Sequence, residues 1–452
     1  MKRQTTLWVA CVAQLIVVLD VSVMNVALPS IRQDLDLGLE AASWVVLGYG
    51  VAFAGALLAA ARLADAFGAA RVLWWSVGAF TLASVAGGLA HDGGYLIAAR
   101  IAQGLAAAAV SPATFTILTI GFTEGPARTR AIAIWTAVSL AGGGAGNLLG
   151  GALTEWVSWR AVLLINLPIG LAVLVGASRV PGRGGERARV PIGWGAGAVS
   201  VVAFASATYG LTVLGETDPA VPAGVAALAL SAAMFAVFTR IERRSVRPLV
   251  PLGVWRSGSV RRGTTATLLV GMCFQTAIWF FLTFRLQDDA GYTPIQTGLA
   301  FLPLTGAMLL TNLTLVPPLL ERLAPRVLIG VGIVIAGAGT LWFAAVGMGD
   351  LWAGFVVPSL LVGVGGGLVN TPLATIITAG VADDDAGAVS GLMNTAKQFG
   401  GAVGVAICAG AASITGTASA PFLVMTGALA LAAASVIGAG RRRDRDATPA
   451  RG

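Results

Sequence analysis

The sequence predicts an all-α polytopic membrane protein, and three observations lead to this fold class. Of the 452 residues, 56% are hydrophobic and only 11% are charged, whereas an average soluble protein carries about 25% charged residues. Apolar segments of about 20 residues, each long enough to span a bilayer as a helix, recur along the whole chain. Short loops that are rich in arginine separate these segments. We therefore expect a bundle of membrane helices whose main solvent is lipid.

The hydropathy pattern predicts fourteen transmembrane helices. Each predicted segment is apolar over about the length that a bilayer crossing requires. Glycine-rich runs blur the edges of the last four segments. The predicted segments are 7–29, 43–61, 72–90, 95–121, 131–153, 161–179, 192–214, 220–239, 262–284, 297–320, 327–347, 351–379, 387–413 and 419–440.

The distribution of basic residues predicts the topology. Cytoplasmic loops of membrane proteins collect Lys and Arg. With the N-terminus inside and fourteen crossings, most of the 29 basic residues fall on the inner side, and only Arg32, Arg160 and Arg285 fall on the outer side. A wrong helix count would move these charges between the two sides, so the bias favours an even count with both termini cytoplasmic.

Two charged loops, at 180–191 and 240–262, divide the chain into six helices, two extra helices and six more. The extra pair, at about 192–239, has almost no polar residues within its helices. We therefore predict four parts. They are an N-terminal six-helix lobe at 1–180, a linker with two extra helices at 181–245, a C-terminal six-helix lobe at 246–440 and a charged cytoplasmic tail at 441–452.

Composition and motifs exclude several functional classes. The net charge of +8 would suit a nucleic-acid partner, but the positive charge is spread over short loops, so we expect none. The chain has no Gly-x-x-x-x-Gly-Lys-Ser/Thr loop for a nucleotide and no Ser-His-Asp, zinc or haem constellation. Its three cysteines lack disulfide or metal-ligand spacing. We therefore expect no enzyme activity, no metal and no organic cofactor.

The stretch LDVSVMNVALPSI, at 19–31, places Asp20 well inside the first predicted helix and Asn25 close behind it. A carboxylate at such a depth costs about 2.5–3.5 kcal/mol on insertion scales. Such an acid therefore needs either a partner on a neighbouring helix or a function.

The stretch ARIAQG in the fourth predicted helix offers a candidate partner. Arg100, Gln103 and Gly104 are spaced i, i+3, i+4 and share one helix face. The presence of Gln103 on this face favours an Arg100 that points into the protein or a wet cavity. The alternative is an Arg100 that reaches the membrane interface, because it lies only about five residues into its helix.

The loop ARLADAFGAARVL between the second and third predicted helices carries Asp65 and Gly68 between Arg62 and Arg71. A carboxylate here can accept bonds from a helix N-terminus or an arginine. Such a contact would lock one conformation and break in another. The alternative is a polar turn flanked by ordinary cytoplasmic arginines, and the spacing does not decide between the two.

Two glycine-rich segments carry polar residues at helical spacing. In the fifth predicted helix one stripe has the spacing that lets helix backbones approach closely, and a second stripe lies beside it. In the thirteenth, Asn394, Lys397 and Gln398 share one face, and Lys397 is either interfacial or buried. The first stripe is Gly142, Gly146 and Gly150, and the second is Gly143, Asn147 and Gly151.

Taken in order, these motifs resemble the fourteen-helix drug:proton antiporter branch of the major facilitator superfamily. LDVSVMNVALPSI is similar to the first-helix motif, ARLADAFGAARVL to the inner-loop motif, and RIAQG to the fourth-helix motif, whose arginine is linked to proton transfer. AGNLLGG resembles the antiporter motif. LQDDAGYTPIQTGLAFLP and AVSGLMNTAKQFGGAVGVA are similar to stretches of the C-terminal half. The resemblance covers nearly the whole chain.

The resemblance implies two six-helix lobes around a central cavity that opens alternately to each side. It also implies proton coupling at Asp20 and Arg100, with Asp20 taking a proton when the cavity faces outward and releasing it inward. The alternative is a structural Asp20 that is hydrogen-bonded to neighbouring helices. The implied polar lining of the cavity is Asn25, Gln103, Asn147 and Asn394. The implied gating residues are Arg62, Asp65, Gly68 and Arg71, and the implied helix-packing residues are Gly142, Gly146, Gly150 and Gly151.

The chain departs from the family pattern at two motifs. The inner-loop motif begins with Ala61 where the family has glycine, and it carries fewer basic residues, so its gating contact is expected to be weaker. The antiporter motif has Asn147 after Gly146 in place of proline, which removes a bend and adds a polar group. The departure at Asn147 bears on the antiport direction or on the substrate range.

The resemblance predicts a proton-coupled secondary transporter that exports amphipathic or cationic drugs across a bacterial cytoplasmic membrane. Its partners would be a small-molecule substrate, protons and the lipid bilayer, and it would work as a monomer. One alternative is a dedicated exporter of a single metabolite or self-made antibiotic. An alternative of another class is a membrane sensor or scaffold that transports nothing.

Overall fold

The computed structural model is helical throughout the residues that it describes, with no β-strand among them. Thirteen helical spans, some of them made of two or three consecutive helices, are long and apolar enough to cross a membrane, and Ala420–Val436 is a shorter apolar helix. This shorter helix falls on the fourteenth predicted segment, so the count of fourteen stays a prediction. The charged tail and most of the loop at 180–191 lie outside the described residues. The described residues are 2–122, 125–180, 193–215, 221–246, 248–251, 253–347, 350–381 and 383–437.

The first seven helices cover the predicted N-terminal lobe. Short connections join them, and Gly68, with a φ of +87°, joins the second helix to the third as the one residue between them. A side chain would be strained at this φ, so glycine suits the turn. The helices are α1 (Lys2–Asp34), α2 (Leu39–Phe67), α3 (Ala69–Gly88), α4 (Gly93–Gly121), α5 (Pro126–Trp156), α6 (Trp159–Leu164) and α7 (Asn166–Ala177).

Eleven further α-helices follow in the described residues. Three π-helical turns, at Arg285–Asp289, Thr311–Leu315 and Trp352–Val356, adjoin them. The helices are α8 (Trp194–Leu214), α9 (Val221–Arg244), α10 (Gly258–Phe274), α11 (Ala277–Phe284), α12 (Pro294–Ala300), α13 (Leu302–Leu310), α14 (Val316–Arg322), α15 (Pro325–Ala345), α16 (Val357–Thr378), α17 (Asp383–Thr415) and α18 (Ala420–Ile437).

The chain forms two compact units. The first, called unit 1 below, comprises Met1–Val213, Pro219–Leu249 and Leu282–Leu302. In unit 1, α4 packs against α2 and α3, and α5 packs against α1. Val17, Phe53 and Phe80 belong to its apolar core. The division of the chain at 180 and 245 stays a prediction.

The second compact unit, called unit 2, has its own helix pairings. It comprises Leu214–Asp218, Val250–Phe281 and Pro303–Gly452. Helix α15 packs against α16 and α18, and α10 packs against α17 and α18. Stacked and edge-on contacts among Phe343, Phe355 and Phe422 fill its apolar interior.

Glycines set the close approach of α5 to α1 in unit 1. A Cβ added to Gly146 would lie 2.6 Å from Ser22 Cβ, and one added to Gly150 would lie 2.7 Å from Val23 Cα. The glycine stripe from Gly142 to Gly150 therefore faces α1, the helix that carries Asp20. Gly151 instead faces the start of α12, where its Cβ would lie 2.5 Å from the Pro294 carbonyl oxygen.

Candidate functional site

Asp20 lies in the middle of α1 and is fully buried. Its carboxylate accepts three hydrogen bonds from two other helices. Arg100 Nη1 donates to Oδ2 at 2.5 Å, while Gln103 Nε2 and Asn166 Nδ2 donate to Oδ1 at 3.1 and 2.8 Å. Both oxygens are thereby satisfied without water, as a carboxylate away from solvent requires.

Arg100 is buried on α4, with 1% of its surface exposed, so it does not lie at the membrane interface. Its Nε donates to the Val45 carbonyl oxygen on α2 at 3.1 Å, and its Nη1 also donates to Gln103 Oε1 at 2.9 Å. The ring of Tyr49 lies 4.6 Å from Arg100 Cζ, which is within the range of a cation–π contact. The guanidinium is thus held by a carboxylate, an amide, a backbone carbonyl and an aromatic face.

Gly104 permits α4 to lie directly on the backbone of α2. A Cβ at this position would overlap the carbonyl oxygen of Tyr49. This close approach brings Arg100, one turn earlier on α4, within reach of Val45 and the Tyr49 ring on α2. The sequence placed Gly104 on the same face as Arg100, and the structure shows what that position contacts.

Asn166 and Ser84 extend the network to α7 and α3, and sequence reasoning missed both. Asn166 Nδ2 contacts Ser84 Oγ at 2.9 Å as well as Asp20, and Ser84 Oγ donates to the Leu163 carbonyl oxygen at 2.9 Å. Both residues have 0% exposure. The available signal was an amide in the apolar run VLLINLPIG, since a buried amide needs a polar partner.

The other predicted lining residues do not join this network. Asn25 and Asn147 are buried in unit 1, and among the described residues neither side-chain oxygen has a hydrogen-bond partner. Asn394 belongs to unit 2, is exposed, and donates to the Ser390 carbonyl oxygen at 3.1 Å. Of the predicted cavity residues, only Gln103 contacts both members of the Asp20–Arg100 pair.

The predicted gating residues cluster where α2 meets α3, but they make no ion pair with one another. Arg62 Nη2 donates to the Pro248 carbonyl oxygen at 2.7 Å. Asp65 and Arg71 are exposed, and neither makes a side-chain hydrogen bond or ion pair within the part of the chain that is described. A gating role for these residues stays a prediction.

Polar contacts at the C-terminal end of α1 are a further feature that the sequence motifs did not predict. Arg32 Nη1 pairs with Asp288 at 3.0 Å, and Gln287 Nε2 donates to the Val26 carbonyl oxygen at 2.9 Å. Nearby, Asp34 pairs with Arg160 at 2.8 Å. These contacts tie α1 to the segment Leu282–Leu302 and to α6 within unit 1.

Asp20 and Arg100 form a buried ion pair whose two charges compensate each other. A buried ion pair of this kind is costly to break one partner at a time, by about 3–5 kcal/mol, because the remaining charge is left uncompensated. Protonation of Asp20 would remove the negative charge and leave the Arg100 guanidinium without a counter-ion. The amides of Gln103 and Asn166 would stay as neutral hydrogen-bond partners, so the pair can change its charge state without emptying the site of polar contacts.

Metal chemistry has no candidate ligand set in the described residues, since no group of three or more His, Cys, Asp or Glu side chains comes together there. The three cysteines, which the sequence placed in apolar runs, are buried and free of disulfides.

Comparisons with known proteins agree with the superfamily that the motifs resemble. The profile of the Major Facilitator Superfamily matches residues 10–405. The cephamycin export protein of Amycolatopsis lactamdurans is 45% identical over 417 residues, which are 89% of this chain and 84% of that protein. The puromycin resistance protein of Streptomyces alboniger is 37% identical, with 90% and 81% covered. The tetracenomycin C resistance and export protein of Streptomyces glaucescens is 33% identical, with 89% and 74% covered.

Solved structures show the same fold at low sequence identity. A mutant of the nucleoside transporter NupG superimposes with a TM-score of 0.67 at 13% identity, covering 96% of this chain and 99% of that one. A human organic anion transporter superimposes with a TM-score of 0.63 at 14% identity, covering 96% and 100%. At these identities the likeness concerns the fold alone.

Proposed function

The chain belongs to the major facilitator superfamily, and from this premise we propose that it exports an antibiotic or a related toxic small molecule across a bacterial membrane by proton antiport. The superfamily membership and the many apolar helices make it a multi-pass membrane transporter. The proposal adds the direction of transport, the substrate class and the coupling ion.

The observation that carries proton coupling is the buried pair of Asp20 and Arg100. An ionisable residue within a membrane helix is rare and costly, and it commonly marks a proton or substrate pathway. Asp20 is the acidic member, and its partners on α4 and α7 are neutral amides apart from Arg100. One proton can therefore change the net charge of the whole network.

The names of the relatives support export as the direction. The protein that is 45% identical is named for the export of cephamycin, and others are named for resistance to puromycin or for the export of tetracenomycin C. Each of these three is named for one antibiotic. This observation fits a dedicated exporter of a single antibiotic that the producing cell makes about as well as it fits a multidrug exporter.

The finer assignment within the superfamily is also part of the proposal. We infer the fourteen-helix drug:proton antiporter branch, with six helices in each lobe, an extra pair between them, both termini cytoplasmic and a monomer as the working unit. The basic residues of the loops support the orientation, since most of them fall on one side under this topology.

The deciding experiment uses energised inverted vesicles with a fluorescent probe of the pH gradient. A cephamycin, puromycin and a cationic dye are added in turn to vesicles that carry the wild type or Asp20→Asn. We expect substrate-induced proton release from the wild type and none from the variant. Equal proton release from both would overturn the coupling role of Asp20.

The matched control is Asp36→Asn. Asp36 is exposed in the turn after α1 and has a φ of +48°, which asparagine also tolerates. The Asp36→Asn variant makes the same chemical change near the same helix but outside the buried network, so vesicles that carry it should behave as those with the wild type.

The panel of compounds also tests the substrate range. Proton release for one compound only would favour the dedicated exporter, and release for all three would favour the multidrug exporter.

A further inference from the structure

Lys397 lies deep in unit 2. Helix α17 runs from Asp383 to Thr415, and Lys397 is about 20 Å along its axis from the first residue, at the 1.5 Å rise of an α-helix. The remaining part of α17 is longer still. Lys397 is therefore in the middle of a membrane-crossing helix and not at its end, which answers the question that the sequence left open.

Among the described residues of unit 2, no other charged residue lies at this depth. Within the described part of this unit, all the other acidic and basic residues are near the ends of helices or in the connections between them. They are Arg256, Arg261, Arg262, Glu321, Arg322, Arg326, Asp350 and the acidic residues at 383–385. The interior of unit 2 thus carries one positive charge and no compensating carboxylate among the described residues.

The ammonium group of Lys397 has no partner among the described residues. It forms no hydrogen bond, ion pair or ring contact there, although a lysine ammonium offers three donors. Its side chain is partly exposed. A membrane-embedded lysine does not face lipid without a partner; it faces protein or a water-filled space. Partial exposure without a protein partner therefore indicates an accessible, wet surface of unit 2.

The backbone around Lys397 is held rigidly against α10. A Cβ added to Gly271 would lie 2.5 Å from the Lys397 carbonyl oxygen, and one added to Gly401 would lie 2.8 Å from Thr276 Oγ1. Such close contact leaves little freedom for α17 to slide along α10. The backbone of Lys397 is consequently held in a fixed position, as a recognition residue requires.

Two amide residues share the face of Lys397. Asn394 and Gln398 are spaced i and i+4 on α17, and Lys397 lies between them. Gln398 Oε1 accepts a hydrogen bond at 2.7 Å from Nε2 of Gln275, which follows α10 directly. That bond orients the Gln398 amide and leaves its NH2 group as a donor without a partner among the described residues.

From these contacts we propose that Lys397 binds the carboxylate of an anionic substrate, with the Gln398 amide as a hydrogen-bonding neighbour. An ammonium and an amide NH2 are both donors, and a carboxylate is acceptor-only when ionised, so the chemistries match. An uncompensated positive charge also repels a cationic compound. This inference rests on the proposed export function, and it replaces cationic by anionic compounds as the preferred substrate class.

The test compares carboxylates with their methyl esters, which differ in charge and little in shape. Fluorescein and benzylpenicillin serve as probes, each beside its methyl ester. Binding to the purified protein in detergent is measured for the wild type and for Lys397→Gln and Lys397→Arg. We expect the wild type to bind each acid at least tenfold more tightly than its ester, Lys397→Gln to lose this preference, and Lys397→Arg to keep most of it.

The control variant is Arg322→Gln, which removes a basic group from the exposed end of α14 in the same unit. It should leave the preference for the acid unchanged. A merely structural role of Lys397 would weaken the binding of acid and ester equally, so equal losses would overturn the proposal. Wild-type protein that binds neither acid more tightly than its ester would overturn it as well.

The binding test in detergent and the proton-release test in vesicles together separate this inference from the proposed function. A wild type that prefers the acids but produces no substrate-induced proton release in vesicles would leave the carboxylate site standing and refute proton-coupled export. Proton-coupled export of compounds without any preference for the acids would do the reverse.

Discussion

The two units treat a membrane-buried charge in opposite ways. In unit 1, Asp20 and Arg100 pair with each other and have further polar partners on α2, α4 and α7. In unit 2, Lys397 lies at comparable depth without a counter-ion among the described residues. A fully partnered charge changes state only when a proton or a helix moves, whereas an unpartnered charge is free to meet a ligand. The difference separates the proposed coupling site from the proposed recognition site.

The largest expected effect comes from breaking the pair in unit 1. Arg100→Ala leaves the Asp20 carboxylate without its counter-ion and should lower stability by about 3–5 kcal/mol. Thermal unfolding in detergent measures the loss. The double variant with Asp20→Asn should recover part of it, because both charges are then gone. A double variant that loses the sum of the two single losses would show that the pair is not coupled.

The next effect tests the packing that holds α1 in place. Gly150→Ala brings a Cβ to within 2.7 Å of the Val23 backbone, and overpacking of this kind costs about 1–3 kcal/mol. Gly143→Ala is the control, since its Cβ would meet only Ser22 Oγ, at 3.9 Å. We expect a lower unfolding temperature for the first variant and not for the second. Equal unfolding temperatures would show that α1 and α5 adjust freely.

A comparable effect is expected at Asn166. Asn166→Ala removes one donor from Asp20 and one partner from Ser84, and a lost buried hydrogen bond of this type costs about 1–3 kcal/mol. Transport should persist, because Asp20 keeps Arg100 and Gln103. Thermal unfolding in detergent measures the loss of stability, and flux in vesicles measures transport. An unchanged unfolding temperature would show that the Asn166 bonds do not stabilise the network.

The smallest effect on stability is expected at Lys397. Lys397→Met keeps the length of the side chain and removes a charge that no described residue compensates. The free energy of unfolding should therefore change by no more than about 0.5 kcal/mol. The unfolding temperature should therefore remain close to that of the wild type, in contrast to Arg100→Ala. A loss as large as that of Arg100→Ala would reveal a structural partner and erase the contrast between the units.

The sequence predicted the parts of the site that follow from local spacing. Arg100 and Gln103 share a helix face because of the helical period, and an acid in the first helix requires a partner, so the grouping with Asp20 was accessible. The contact of Asn166 with Asp20 could not be predicted from the sequence, because it depends on how α7 packs against α1. For the same reason, spacing did not show that Asn25 and Asn147 lie apart from the network.

The helices themselves were predicted more completely than their contacts. Long apolar runs define α1 to α5 within a few residues, since hydropathy is a property of the chain alone. The π-helical turns at Arg285–Asp289 and Thr311–Leu315 left no comparable signal. The ion pair between Arg32 and Asp288 also escaped prediction, since it joins residues far apart in the chain.

The hydrogen-bond network around Asp20 has a consequence for the synthesis and membrane insertion of the protein. Asp20 and its partner Asn166 are 146 residues apart in the chain. At a synthesis rate of about 5–20 residues per second, α7 leaves the ribosome about 7–30 seconds after α1. During that interval the acid in α1 must wait in the translocation machinery or at the lipid interface, and only the arrival of α4 and α7 completes its surroundings. The chain therefore completes this polar network only after α7 has been made, and a premature stop before α7 would yield a fragment with an incomplete charge centre, suited to recognition by membrane quality control.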